Sequence, residues 1–297
     1  MLWILMTLMA AVCQTARTAL QKQLKTELSD TASASTRFLF ACPFAIIYLV
    51  VLLVVKDSTP FEFTTRFWIF TGITAISQII ATWALIAALS HAQFAVAVTY
   101  SKLEPVVIAV LGASFFAQPL NFLDWTSIVI CIIGLLFLAQ TPKVIGQLAN
   151  LRHRGALLGV LSAISFGISS LAVRESSHAL QLADPLLPAA ISLVCVLFIQ
   201  LILTLGYLLI REPQQLKALQ KNWKKATFVG LSGGIGSIGW FTAFSLQTVA
   251  LVKVVGQVEL IFAILLTHFL FKEKIRPREY MGMLCIVASV VIILVTI

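Results

Sequence analysis

The chain has 297 residues, of which 60% are hydrophobic and 11% charged, with a mean hydropathy of +0.99 and a net charge of +9. Soluble domains carry about 25% charged residues, so this composition excludes a pair of soluble domains and implies an integral membrane protein. The basic residues sit in short segments between apolar runs, where they set membrane orientation and do not call for a nucleic-acid partner.

Ten apolar runs follow one another, at about 2–20, 33–55, 68–89, 94–116, 123–140, 155–173, 185–210, 226–246, 250–271 and 279–297. They are continuous and lack dyad alternation, so they read as membrane helices and not as a barrel. The first run lacks a basic n-region and an A-x-A site, and it reads as a membrane helix, not a cleaved signal. Cys13, Cys42, Cys131, Cys195 and Cys285 each stand alone in an apolar run, which implies free thiols and no metal site. The segment TPKVIGQLANLRHR separates two halves, 1–140 and 155–297. Before the eighth run, Leu216, Leu219 and Trp223 fall near helical spacing among lysines, which suits an interfacial amphipathic helix and equally a plain polar loop.

The halves repeat. Glu104 aligns with Glu259, and the same register pairs Phe116 with Phe271, Gln118 with Glu273 and Trp125 with Tyr280. Ala19–Lys22 matches Ala172–Glu175 in the first helices, and Trp83 matches Trp240 in the third. Five helices per half is an odd number, so homologous halves insert with opposite orientation. The expected fold is all-α, with ten transmembrane helices as two inverted five-helix repeats, and such folds place a solute site near the midplane between the halves. Fifteen of the 21 Lys and Arg residues, with Arg37 counted among them, fall after odd-numbered runs. The positive-inside rule then puts the odd loops in the cytoplasm and both termini outside.

Ionisable groups inside hydrocarbon are costly and face a bundle interior or a wet cavity. Glu104 precedes Pro105, so the fourth helix is expected to break at mid-membrane. Glu259 has no proline, but Gly256 precedes it on the same face, leaving room for a ligand or for close helix packing. Lys102 and Glu104 point to opposite sides of one helix. Lys253 shares a face with Gln257, not with Glu259. The lysines therefore need partners on other helices, Lys253 being the better placed of the two to snorkel. Arg17 lies in the last turns of the first run with the same choice. Trp83, Trp240 and Tyr100 fall mid-run, as interior rings able to stack on a solute or hold a cation.

Gly234, Gly236 and Gly239 fit G-x-G-x-x-G, but no soluble strand precedes them, and the GxxxG pair Gly230–Gly234 explains them as close helix contacts. Ser101 and Lys102 are adjacent and cannot form a dyad on a helix. The four histidines are dispersed. No enzyme, cofactor or metal is expected.

The repeated tails LEPVVIAVLGASFFAQPLNFLDWTSIVICIIGLLFL and VELIFAILLTHFLFKEKIRPREYMGMLCIVASVVIIL resemble the EamA-type branch of the drug/metabolite transporter superfamily. Glu273 matches the loop glutamate of that family, and Gln118 departs from it. Gly134 and Gly282 match the glycines of its final helices, at non-equivalent positions. The resemblance implies a central cavity and alternating access, with cytoplasmic termini that disagree with the charge count.

The expected activity is secondary transport of a small polar metabolite, an amino acid or related amine, across a bacterial inner membrane. Lys102 would hold an anionic group, Glu104 and Glu259 an ammonium or a coupling proton, and Trp83, Tyr100, Trp240 and Gln257 would complete the substrate site. The expected partners are the solute, a coupling proton and the lipid bilayer, with monomer and homodimer both open. The alternatives are efflux of cationic drugs and a non-transporting membrane scaffold.

Overall fold

The computed structural model describes residues 1–56, 61–91, 100–116, 118–139, 154–271 and 276–296. Among them every regular element is a helix: α1 (Leu2–Leu24), α2 (Asp30–Val55), α3 (Thr65–His91), α4 (Glu104–Phe115), α5 (Phe122–Ala139), α6 (Arg154–His178), α7 (Leu186–Arg211), α8 (Pro213–Lys221), α9 (Trp223–Leu246), α10 (Val249–Gly256), α11 (Val258–Phe271) and α12 (Pro277–Thr296). Seven of these are long and apolar enough to cross a bilayer: α1, α2, α3, α6, α7, α9 and α12. Helices α4 and α5 are shorter apolar helices, and the ninth run is divided between α10 and α11. The segment 141–153 between the halves, the loop residue Glu273 and the fourth run before Tyr100 lie outside the described residues.

The outer surface is apolar where a soluble protein would be polar. Ile47, Val50 and Val54 of α2 and Phe198, Ile202 and Ile210 of α7 are exposed, a surface that hydrocarbon solvates and water does not. The amphipathic segment forms α8, whose Leu219 is buried against Leu24, Leu208 and Val229.

The largest helix contacts cross between the halves: α3 with α6, α1 with α9, α5 with α12, α2 with α9, and α2 with α7. Exchanging the halves maps α1–α9 onto α6–α3 and leaves α5–α12 and α2–α7 unchanged, so the repeat seen in sequence is largely a repeat in packing; α2–α9 is the exception, since its counterpart α7–α3 is a much smaller contact. Small residues permit these approaches. A Cβ on Gly282 would lie 2.6 Å from Leu138 and 2.9 Å from the Gly134 carbonyl, so the two glycines of the final helices meet at the α5–α12 crossing despite their unequal sequence positions. Gly230 and Gly234 of α9 lie against Phe40, Ala41 and Phe44 of α2, and Gly239 against Met6 and Ala10 of α1. Close helix approach is what that glycine cluster serves.

Polar contacts between the halves also occur at each end of the bundle. At one end Glu27 pairs with Lys225 at 3.2 Å, and Ser29 donates to Glu212. At the other, Lys56 pairs with Asp184 and Arg66 with Glu175. Burial acts to raise the Asp184 carboxyl. The hydrogen bond from Lys56 and those from the Leu186 and Leu187 N–H groups outweigh it and hold the carboxyl below its ordinary value.

Candidate functional site

Both carboxylate-bearing runs break where the carboxylates are. In the first half the chain turns at Lys102 and Leu103, and α4 begins at Glu104 with Pro105 in its first turn. A proline there removes no intrahelical hydrogen bond, so the break costs little. In the second half the chain turns at Gln257, directly after Gly256, and α11 carries Glu259 in its first turn. No proline is needed, because glycine already weakens a helix by about 1 kcal/mol. Each carboxylate thus sits at the positive end of a half-helix, and Lys253 sits in the last turn of α10, at a negative end.

The two breaks are joined by ion pairs that cross between the halves. Lys102 Nζ lies 2.6 Å from Glu259 Oε2, and Lys253 Nζ lies 2.9 Å from Glu104 Oε1. The lysine of each half therefore neutralises the carboxylate of the other, as the absence of a partner on its own helix requires. Lys253 does not snorkel. It is buried in this pair with its ammonium 4.2 Å from the Trp240 ring centroid and 5.3 Å from that of Phe244.

Further hydrogen bonds tie the cluster together. Gln14 of α1 donates to Glu259 Oε2 at 2.8 Å, and its Oε1 accepts from Trp240 Nε1 at 3.1 Å. Ser170 of α6 donates to Glu104 Oε1 at 3.0 Å. One glutamine side chain therefore links the second carboxylate to the ring that covers the first carboxylate's lysine. The Trp240 indole rests on Gly256, where any Cβ would overlap it, so the space left by this glycine is filled by the ring.

The other expected residues are placed differently. Gln257 is buried at the second break, and its Oε1 has no hydrogen-bond partner among the described residues. Tyr100 is buried against Leu103 and against Ala156 and Val160 of α6. Trp83 is 40% exposed and lines a largely apolar cleft of about 480 Å³ between α2, α3 and α7, with Phe38, Ile79 and Tyr207. It does not share the environment of Trp240. A one-residue change in register turns a side chain by about 100° around a helix, so matching positions in two helices need not share a face.

Several site residues escaped the sequence reading. Gln14 and Gln21 follow helical spacing along α1 on either side of Arg17, which the sequence had already marked as an intramembrane cation, and that spacing was a readable signal. Arg37, counted with the loop cations, lies within α2 and is only 4% exposed. Arg174, which the sequence reading did not single out, lies on α6 and donates to the carbonyls of Phe244 and Gln247. Among the described residues there is no cluster of His, Cys, Asp and Glu fit to hold a metal, and all five cysteines are free.

The fold and this cluster define a multi-pass membrane protein built on two repeats, with buried charges joined across their interface. The family model for the EamA-like transporter family matches residues 1–140 and again 153–295, and the chain belongs to that family. A solved structure described as "Crystal structure of protein" is similar in fold, with a TM-score of 0.71 at 15% identity over 99% of this chain and 96% of that one. No curated protein matches the chain.

Proposed function

We propose that this transporter is a secondary carrier of a small zwitterionic metabolite, an amino acid or related amine, working by alternating access in a bacterial inner membrane. On this reading it spans the bilayer ten times as two inverted five-helix repeats, 1–140 and 155–297. The observation that supports the substrate class is the pair of buried ion pairs Lys102–Glu259 and Lys253–Glu104 at the helix breaks. Separating such a pair strands a charge in low dielectric and costs several kcal/mol. A zwitterion brings one charge of each sign, so its carboxylate takes the lysine while its ammonium takes the glutamate, and no charge is left alone. A lipophilic cation satisfies only the glutamate and strands the lysine. Trp240 and Phe244, which would stack on such a cation, already cover Lys253.

Lys102→Met tests this directly. The dissociation constant of an amino acid should rise at least tenfold in the folded variant, while that of a lipophilic cation should fall or stay unchanged. Unchanged amino-acid binding would remove Lys102 as the anion anchor. Orientation has its own test in a background with the native cysteines replaced. Lys221→Cys should resist an impermeant thiol reagent in intact cells and Glu62→Cys should label, both positions being exposed. The opposite pattern reverses the topology and leaves the substrate argument standing.

A further inference from the structure

We infer that Arg17 and Arg37 form a second, oxyanion-binding subsite beside the ion-paired cluster, which would make the solute an acidic zwitterion with two negative groups and one ammonium. The inference rests on the carrier reading above for its solute, and on the following geometry for its site. Both arginines are 4% exposed, yet the Nε of each is buried without a hydrogen-bond partner among the described residues. Arg37 donates from Nη1 to the neutral Thr82 Oγ1 at 3.2 Å. No described carboxylate lies within ion-pair distance of either guanidinium; the two deep carboxylates, Glu104 and Glu259, are taken by the lysines.

The two side chains converge on one point of α9. A Cβ on Gly233 would lie 3.3 Å from Arg37 Cγ and 3.4 Å from Arg17 Cδ, so the missing side chain is what lets both stems pass. Two guanidiniums side by side in low dielectric repel, and the carboxylates that act on them from beyond ion-pair distance, Glu259 on Arg17 and Glu104 on Arg37, are already paired with the lysines, so four cations share two negative charges. The planar guanidinium fork is suited to oxyanions, binding carboxylate or phosphate through paired N–H donors. An oxyanion between the two would supply the missing charge and accept from the orphaned Nε groups.

The site also lies in line with the ion pairs along α1. Along α1, Lys25, Gln21, Arg17 and Gln14 fall one turn apart, from the helix end to the residue that holds Glu259. Gln21 is braced by the Ser33 carbonyl and Lys25 by the Ile86 carbonyl. Lys25 is also paired with Asp30 at 3.0 Å, so the side chains inward of it on this line, Gln21, Arg17 and Gln14, are cationic or neutral as far as Glu259.

The test compares L-glutamate with L-glutamine, equal in shape and different by one charge, and with inorganic phosphate. Binding is titrated on the full chain in phosphatidylcholine nanodiscs. Wild type should bind glutamate at least tenfold tighter than glutamine and should bind phosphate. Arg17→Gln and Arg37→Gln should abolish the glutamate preference and the phosphate binding. If these variants do not fold, Arg17→Lys and Arg37→Lys carry the test, keeping charge but losing the fork, with a several-fold loss of the preference. Equal binding of glutamate and glutamine to wild type, or a full preference in the folded variants, overturns the inference. Arginine-dependent phosphate binding with no amino-acid binding leaves the subsite standing and sinks the amino-acid reading instead. In phosphatidylglycerol discs, lipid retained by wild type, lost from Arg17→Gln and competing with glutamate would assign the arginines to a lipid headgroup and overturn the solute subsite.

Discussion

The two carboxylates hold matching places in the repeats and live in different surroundings. Glu104 and its partner Lys253 are the drier pair, with Ser170 on the carboxylate and the Trp240 and Phe244 rings over the ammonium. Glu259 and Lys102 are the more polar pair, with Gln14 on the carboxylate and Arg17 one turn further along α1. The repeat supplies the charges twice, and the neighbouring helices surround them differently. On the proposed reading the first pair stays closed and the second exchanges partners with the solute.

The largest effect should come from breaking the drier pair. Lys253→Met strands Glu104 among rings and should cost about 3–5 kcal/mol, read as the unfolding midpoint in detergent. Lys102→Met leaves Glu259 its bond from Gln14 and should cost less, about 1–3 kcal/mol, while damaging binding more. Equal losses of stability in the two variants would erase the contrast between the pairs.

A smaller effect should follow from disturbing the ring that separates them. Gly256→Val places a side chain where the Trp240 indole lies and should lift the ring from Lys253 and from Gln14. The expected cost is about 1–3 kcal/mol of overpacking, with the Lys253 pair affected more than the Lys102 pair. If binding falls and stability does not, Trp240 is a solute contact and not a cover.

The smallest effect belongs to the ends of the bundle. The Asp184 carboxyl is held below its ordinary value, so its share of stability is present above about pH 4, the ordinary carboxylate value, and is lost as pH falls through its lowered value. Both partners of the Lys56–Asp184 pair are partly exposed, which limits that share to about 1 kcal/mol. Asp184→Asn should remove this part of the acid dependence and leave the central pairs untouched. An unchanged acid profile would show that the contact is not closed in solution.

Much of the fold was legible because its causes are local. Continuous apolar runs mark membrane helices, and a carboxylate before a proline marks a helix break, as α4 shows. The need of Lys102 and Lys253 for carboxylates on other helices was also readable, since neither can reach one on its own. What was not legible depends on rotation and distance between helices. Trp83 and Trp240 match in order, yet only Trp240 turns inward to the charges. Arg37 passed for a loop cation, although it falls inside the 33–55 run, because a basic residue near the start of a run reads as its flank; the Ser29 cap starts α2 upstream and sets Arg37 within the helix. The break at Gln257 has no proline to announce it, and the glycine before it also had a packing explanation.

The most direct test of the central claim is counterflow of a labelled amino acid in sealed proteoliposomes that contain this chain and no other protein. Saturable accumulation against an internal pool of the same amino acid is expected, and Glu259→Gln should abolish it. Wild-type liposomes that accumulate no amino acid beyond protein-free controls, under conditions where the chain is folded and sealed, would contradict that claim.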